Sequence, residues 1–482
     1  MAVRRSIAWT SFGQASFMAM NIGGSIFVAR LLGPFDMGVF AVAMAVVGLV
    51  GVVQSIGLDT FIVREAELTP DVLRSAAAVN LAISVAMAII IAALGFAGGA
   101  LFRERNVRDV LLVVAIVPII GHYNFVPQSM MERAGDFRTL ALVKACSTAL
   151  GLAITITLAV NGYRVMSLAY SQLATALITN IAVNIIARQH VTFRLSLTHW
   201  RRIARYGTQI LAVTSMNRIA SKVSEIILGR TLGLASLGLY SRASNTTGQL
   251  WDSVHGVVGK VVFVDFANEI RAGRPLRWRY LKVLEIMSGL LWPIFAGAAV
   301  LAGPLIMLVY GQRWIGVATP LALLNISGII FVSTTMTWEV LVLHNETARQ
   351  VRLESVKTIV GSAFFIAGCV ISLEAAAAAR IVDAIVSQIL YRRHLIRLVD
   401  VPASAFGQVY RRSGAATLAA IAPALALMIM RHWSSCIPLV DVAAVVVGGI
   451  VLWLVALRFT RHVLYEEWLR VLRRVRPTEV TA

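Results

Sequence analysis

The sequence predicts an all-α polytopic membrane protein of about 14 transmembrane helices, with two six-helix lobes related by a parallel repeat around a central cavity and two extra C-terminal helices. Of the residues, 58% are apolar and 14% charged, whereas soluble domains carry about 25% charged residues. The apolar residues form stretches of about 20 residues, which is the length that crosses a bilayer. A membrane β-barrel would instead show strands of about ten residues with alternating polarity. A third observation is an internal sequence repeat at an offset of 200 residues.

Fourteen apolar stretches are predicted to span the membrane, separated by short loops that contain Gly, Pro or charged residues. The first follows Arg4 and Arg5, and we interpret it as a retained membrane helix, because it is too long and polar for a signal sequence. The predicted spans, numbered 1 to 14, are residues 8–31, 36–61, 74–100, 107–131, 138–160, 165–188, 204–231, 235–265, 282–308, 316–343, 350–371, 373–391, 407–430 and 437–458.

The chain is strongly basic, with 44 Lys and Arg residues against 24 Asp and Glu residues. In a soluble protein this excess would suggest a nucleic-acid partner. In a membrane protein it is expected in the cytoplasmic loops. By position, 29 of the 44 lie in the termini and even-numbered loops or at the span ends that adjoin them, against 9 in or next to the odd-numbered loops. We therefore expect both termini in the cytoplasm and no nucleic-acid partner.

Two segments match at an offset of 200 residues. Residues 30–40 read RLLGPFDMGVF and residues 230–240 read RTLGLASLGLY, so that Arg, Leu and two Gly coincide. Each segment ends the first helix of a six-helix set and begins the second. Because six helices intervene, the copies have the same orientation, as in a parallel repeat. We predict an N-terminal lobe over 1–200 (spans 1–6), a second lobe over 201–400 (spans 7–12), and spans 13 and 14 with a basic tail over 401–482.

The segment ARLLGPFDMGVF at 29–40 resembles the first loop of bacterial polysaccharide transporters of the O-antigen flippase type. These belong to the multidrug/oligosaccharidyl-lipid/polysaccharide exporter superfamily. The segments YGQRW at 310–314 and ATPLALL at 318–324 resemble the loop and helix 10 of that group. The resemblance in layout covers nearly the whole chain. One departure is VVFVD at 261–265, where members often have a Phe-Pro step.

This resemblance implies two lobes whose cavity opens alternately to the two sides of a bacterial inner membrane. It implies a polyprenyl-diphosphate-linked oligosaccharide as cargo, moved to the outer leaflet for envelope or exopolysaccharide synthesis. Membrane lipid, a polysaccharide polymerase and export machinery are further candidate partners. The glycan and the coupling ion stay open.

Span 7 carries the densest group of ionisable residues within a predicted span. Arg218, Lys222 and Glu225 share one helix face, and Asn217 lies beside them. Charged groups in a bilayer normally face a cavity or a partner, because their insertion costs about 3 kcal/mol. We interpret Arg218 and Lys222 as a cationic site for a diphosphate, with Glu225 tuning them or taking a proton. The alternative is a set of salt bridges that seals the lobes.

Polar residues in other spans are secondary cavity candidates. Span 1 carries Gln14 and Asn21 on the face equivalent to the charged face of span 7; ordinary polar helix packing explains them equally well. In span 8, Gln249 and Asp252 share a face with His255 nearby. Asp252 could couple to a cation gradient and His255 could titrate near neutral pH, but we favour an internal pair of Asp252 with a Lys or Arg.

Two lysines occupy similar places in the two halves, Lys144 in span 5 and Lys357 in span 11. They could line the cavity, or extend to the cytoplasmic interface. Two isolated acids, Glu339 in span 10 and Asp383 in span 12, are each expected to pair with a neighbouring Arg.

The sequence contains no P-loop, zinc-protease, Cys-x-x-Cys or nucleophile-elbow motif. We therefore expect no enzyme activity, cofactor or metal of its own. There are three alternatives to the function of oligosaccharide flippase. A multidrug or cation exporter of the same superfamily would need an acidic or aromatic cavity, whereas span 7 offers cations. A peptidoglycan lipid-precursor flippase is a near relative that charge does not exclude. A membrane glycan polymerase would need longer loops.

Overall fold

A computed structural model confirms the all-α class. It describes residues 20, 23–56, 58, 61–62, 65, 68–102, 104–190 and 195–467, and the regular structure in these residues is helical throughout. We number the helices by the predicted span to which they correspond. They are α1 (described over 23–31), α2 (Pro34–Val50), α3 (Pro70–Phe102), α4 (Arg105–Val114 and Val117–Arg133), α5 (Phe137–Val160), α6 (Met166–Ile186), α7 (Trp200–Thr231), α8 (Leu234–Arg271), α9 (Arg277–Val300 and Ala302–Val309), α10 (Ala318–Val332 and Thr337–Leu343), α11 (Thr347–Ile371), α12 (Leu373–Val399), α13 (Ala403–Met430) and α14 (Leu439–Phe459).

Within the described residues, ten helical segments are long and apolar enough to cross a membrane. Three other long helices, α7, α8 and α12, have 32, 38 and 27 residues. They are long enough to cross a bilayer but are interrupted by charged residues. The chain is therefore a multi-pass membrane protein, and the count of fourteen crossings stays a prediction.

The chain divides into two compact units, Met1–Gly238 and Leu239–Ala482. In the first unit, α7 packs against α2 and α3. The structure thus groups α7 with the helices before it, whereas the sequence repeat assigns span 7 to the second lobe. The lobe boundaries at 200 and 400 stay predictions.

The first unit has a core beneath the start of α3, where Ile62, Ala76, Phe125 and Ile203 are buried together. The start of α8 belongs to this unit and crosses α2 closely. An ideal Cβ on Gly38 would lie 1.7 Å from the carbonyl oxygen of Leu234. Glycine is needed at such a position because any side chain would collide with the backbone.

The second unit is built around α9. Phe266, Tyr280, Leu284 and Phe295 lie in one buried cluster, to which α8, α10, α12 and α13 also contribute. Helices α11 and α12 pack on each other, and α12 also packs on α10. This arrangement brings the charged residues of α11 and α12 next to the aromatic residues of α8 and α10.

Helix α10 is broken by a turn in which Met336 has a left-handed backbone, with φ at 59°. Two buried or half-buried hydroxyls satisfy carbonyl groups that the break leaves without helical partners. Tyr280 donates to the carbonyl of Thr335 and Tyr410 donates to the carbonyl of Ser333, each at 3.2 Å. Backbone polar groups at membrane depth need such partners because no water is available there.

Candidate functional site

The charged face of α7 contains an ion pair. Lys222 Nζ lies 2.9 Å from both carboxylate oxygens of Glu225, one turn further along the helix. Both side chains are half-buried, with 33% and 25% of their surface exposed. The stem of Lys222 lies against α2 at Gly48, where an ideal Cβ would be 3.2 Å from two of its carbons. Gly48 therefore leaves room for Lys222 to reach Glu225.

Arg218 and Asn217 lie about one turn before Lys222, and both are exposed. Arg218 is a further cation on this face, beside the Lys222–Glu225 pair. This ion pair joins two residues of the same helix, and the alternative of salt bridges that seal the lobes stays open. A diphosphate site at Arg218, Lys222, Glu225 and Asn217 stays a prediction.

The two candidates in span 1, Gln14 and Asn21, lie outside the described residues. In α8, Gln249 is half-buried and Asp252 is exposed. The predicted pairing of Asp252 with a Lys or Arg is not formed among the side chains that the structure describes. His255 instead stacks on Trp251, with ring centroids 4.8 Å apart, so packing accounts for it.

The two lysines that the sequence placed in similar positions have different surroundings. Lys144 is exposed on α5. Lys357 is 17% exposed and its Nζ lies 2.7 Å from Glu354 of the same helix. Tyr391 of α12 donates a hydrogen bond to the other carboxylate oxygen of Glu354. Lys357 therefore ends in an ion pair within α11, which Tyr391 connects to α12, rather than extending away from the helices.

A second ion pair lies on α12. Arg380 lies 4.0 Å from Asp383, so the predicted pairing of Asp383 with an Arg is confirmed. Arg380 also donates to the hydroxyl of Tyr240 at 3.1 Å and covers the ring of Phe365 at 4.3 Å. On α11, Gly361 faces Asp383, and an ideal Cβ there would lie 2.3 Å from a carboxylate oxygen.

Together the two pairs form what we call the α11–α12 ion-pair network: Glu354, Lys357, Arg380 and Asp383. Its two cations and two carboxylates balance in formal charge. Such balance lets the four groups lie within packed helices without a net charge. The network is suited to holding α11 and α12 together, and it offers no surplus cation for an anionic substrate.

Glu354 and Arg380 of this network, and the two tyrosines that hydrogen-bond to it, Tyr391 and Tyr240, were not predicted from the sequence. A signal was present for two of them, because Glu354–Lys357 and Arg380–Asp383 are acid–base pairs three residues apart, like Lys222–Glu225. The two tyrosines come from distant parts of the chain, and no local spacing identifies them.

Two aromatic residues of the segment YGQRW at 310–314 contact a buried arginine. Arg242 of α8 is buried, and its guanidinium lies over the rings of Tyr310 and Trp314, at 5.1 and 5.4 Å. Cation–π contacts of this kind stabilise a buried guanidinium.

Within the described residues, no three His, Cys, Asp or Glu side chains are placed to hold a metal ion.

Similar folds occur among solved membrane transporters. The lipid II flippase MurJ in an inward closed conformation superposes with a TM-score of 0.73 at 12% identity, covering 94% of this chain and 98% of that chain. A multidrug resistance MATE family transporter of the MOP superfamily, in an inward-facing conformation, gives 0.61 at 16% identity, covering 82% and 99%. These likenesses show the fold alone.

Three relatives are each similar over about two thirds to three quarters of the chain. A membrane protein of the cps region of Klebsiella pneumoniae is 20% identical over 74% of both chains. The succinoglycan biosynthesis transport protein ExoT of Rhizobium meliloti is 23% identical over 67% of this chain and 66% of ExoT. The lipopolysaccharide biosynthesis protein WzxC of Escherichia coli is 17% identical over 67% and 66%.

A family model extends over more than half of the chain. The model of the polysaccharide biosynthesis protein family matches residues 27–319, which run from α1 to the start of α10. This range contains both copies of the internal repeat and the charged face of α7. The chain therefore belongs to the polysaccharide biosynthesis protein family.

Proposed function

We propose that this protein is a flippase that moves polyprenyl-diphosphate-linked oligosaccharide from the cytoplasmic to the outer leaflet of a bacterial inner membrane. The observation that carries the proposal is the family match over 27–319 in a chain with ten long apolar helical segments. The relatives ExoT and WzxC are named for succinoglycan transport and lipopolysaccharide biosynthesis. The family and the fold favour a transporter over an enzyme.

The physical task is to bring a charged, sugar-bearing head group across hydrocarbon. A diphosphate loses its hydration there, and an unpaired ion in an apolar medium is costly by many kcal/mol. A polar path through the helices replaces part of that hydration. Alternating access follows when the helices open first to one side and then to the other around the bound head group.

Arg218 is our candidate for the first contact with the diphosphate. It is exposed, it lies on the same face as Lys222, and its planar guanidinium matches two phosphate oxygens. Lys222 is held by Glu225, so it contributes when a phosphate competes with that carboxylate. Asn217 adds an amide beside Arg218. The excess of Lys and Arg in the even-numbered loops supports cytoplasmic termini and entry of cargo from the cytoplasm.

The test is leaflet transfer of a fluorescent polyprenyl-diphosphate oligosaccharide in proteoliposomes. We compare the native protein with Arg218→Ala and Lys222→Ala. We expect Arg218→Ala to slow transfer at least about tenfold, because one charge-assisted hydrogen bond to the phosphate is lost. Lys222→Ala should slow transfer less. Glu225→Gln should restore access to Lys222 and lower the cargo concentration at half-maximal rate.

Arg230→Ala is the matched control, because Arg230 is an exposed arginine in the last turn of the same helix. Its transfer rate should equal that of the native protein. Transfer that persists in both test variants would retain the flippase and reject the α7 site. Transport of a cationic dye with no transfer of the lipid would favour a drug exporter. Transfer of the peptidoglycan precursor alone would assign a different lipid cargo.

A further inference from the structure

A cavity of about 550 Å³ lies in the second unit and is lined by none of the residues of the charged face of α7. Three elements form its walls. They are the first turns of α9, the first turns of α13, and the segment 463–467 that follows α14. The membrane segments of these helices begin at Arg277 and Ser404 and end at Phe459. The cavity therefore lies at the ends of these candidate spans, where we expect lipid head groups.

The walls formed by α9 and α13 are cationic. Arg277, Lys282 and Arg412 all line the cavity. Arg412 lies 3.5 Å from Glu285, and Lys282 forms an ion pair with Glu467. Arg277 has no carboxylate at ion-pair distance among the described residues, and its Nε is buried without a hydrogen-bond partner.

Backbone groups reinforce the attraction for an anion on this side. Helices α9 and α13 both begin at the cavity, after Leu276 and Pro402, and neither end is capped by a side chain of the described residues. The free N–H groups and dipole of a helix N-terminus favour a negative charge. Together with Arg277, they suit a phosphate.

The opposite wall carries negative charge. Glu466 and Glu467 belong to the segment after α14 and line the same cavity. With Glu285 on α9 included, the cavity is lined by three cations and three carboxylates. This balance suits a ligand that carries both a phosphate and an ammonium group, because a simple anion would meet the carboxylates as well.

The position of Trp278 indicates a membrane ligand. Its side chain is 72% exposed beside the cavity, and the Arg277 guanidinium lies 5.3 Å from its ring centroid. Tryptophan is enriched at the boundary between hydrocarbon and head groups. A lipid whose head group enters the cavity would have its glycerol and acyl chains beside Trp278.

We propose that this cavity is a binding site for a zwitterionic phospholipid with a primary ammonium, the chemistry of phosphatidylethanolamine. The phosphate lies at Arg277 and the two helix N-termini, and the ammonium donates to Glu466. The site is separate from the proposed diphosphate contact on α7, and it does not depend on the cargo.

The experiment is native mass spectrometry of the purified protein with phosphatidylethanolamine, phosphatidylcholine and phosphatidylglycerol of identical acyl chains. We expect about tenfold stronger retention of the ethanolamine lipid than of the choline lipid, because a quaternary ammonium cannot donate a hydrogen bond. Arg277→Gln should weaken retention of the ethanolamine lipid about tenfold. Glu466→Gln should abolish the preference for ethanolamine over choline.

Arg352→Gln serves as the control, since Arg352 is an exposed arginine near the start of α11 and does not line the cavity. Equal retention of all three lipids by the native protein would overturn the proposal, as would unchanged retention in Arg277→Gln. Equal or stronger retention of phosphatidylglycerol would reject the zwitterion. Free phosphoethanolamine bound as tightly as the lipid would reject a membrane ligand. Because the assay contains no oligosaccharide, its failure leaves the proposed flippase untouched.

Discussion

Gly38 and Gly238 occupy reciprocal positions in one helix crossing. An ideal Cβ on Gly38 would lie 1.7 Å from the carbonyl oxygen of Leu234, and one on Gly238 would lie 1.9 Å from the carbonyl oxygen of Pro34. The two contacts exchange under the offset of 200 residues that relates the repeated segments. The two repeated segments therefore share these glycines because their backbones approach each other closely at pseudosymmetric positions, which leaves no room for a side chain.

We expect Gly38→Ala and Gly238→Ala to be strongly destabilising. A methyl group at either position cannot be accommodated without moving backbone, and overpacking of this kind costs about 1–3 kcal/mol or more. Thermal unfolding in detergent should show a lower midpoint for each variant. Gly248→Ala is the control in the same helix α8, because a Cβ there meets nothing within 4 Å. An unchanged midpoint in Gly38→Ala would contradict the crossing.

Much of the helical layout could be predicted from hydropathy. Span 5 was predicted over 138–160 and α5 runs Phe137–Val160; span 11 was predicted over 350–371 and α11 runs Thr347–Ile371. Span 8, predicted to end near 265, continues to Arg271. Hydropathy marks the apolar part of a helix, whereas a charged extension beyond it depends on ion pairs such as Glu269–Arg274.

The break in α10 could not be predicted in the same way. The sequence at the break, STTM at 333–336, contains no Gly or Pro that would mark a turn. The turn at Met336 is stabilised by Tyr280 and Tyr410 from α9 and α13. Likewise, the spacing of Glu354 and Lys357 in the sequence indicates an ion pair. The hydrogen bond from Tyr391 to Glu354 forms because α11 and α12 pack on each other, which the sequence spacing does not indicate. Contacts between distant residues leave no periodic signal in one sequence.

The α11–α12 ion-pair network predicts strong coupling between Glu354 and Lys357. Removing one partner leaves a half-buried charge unmatched, which costs about 3 kcal/mol when the site is well shielded. We expect Glu354→Gln and Lys357→Met each to lower the unfolding midpoint, and the double variant to lose less than the sum. A double-mutant cycle on unfolding free energies measures this coupling. Strict additivity would mean that the pair contributes nothing.

The hydroxyls at the α10 break give a third prediction. Tyr280→Phe or Tyr410→Phe leaves a carbonyl of the turn without its donor, at a cost of about 1–3 kcal/mol. The midpoint of thermal unfolding should fall in both variants while helical content is kept. Tyr163→Phe is the control, because Tyr163 is an exposed tyrosine outside the second unit. Equal midpoints in all three variants would show that the carbonyls find other partners.

We expect His462, in the segment after α14, to make the free energy of unfolding depend on pH. It is fully buried, its Nδ1 accepts a hydrogen bond from the backbone N–H of Leu464 at 3.2 Å, and its Nε2 lies 3.1 Å from the hydroxyl of Ser413. Because Nδ1 accepts, Nε2 carries the proton and donates to Ser413. Burial, with a smaller contribution from nearby Arg412, lowers the pKa of His462 to about 4.

Since the folded pKa of His462 lies below its ordinary value of 6.5, the unfolded chain takes up a proton first as the pH falls. The free energy of unfolding should therefore decrease between pH 6.5 and about 4, by up to about 3 kcal/mol, and change no further from this group at lower pH. In His462→Gln, the unfolding midpoint should vary less with pH across this range than in the native protein. His432→Gln changes an exposed histidine, and its unfolding midpoint should depend on pH as in the native protein. The same slope in His462→Gln as in the native protein would assign the pH dependence to other groups.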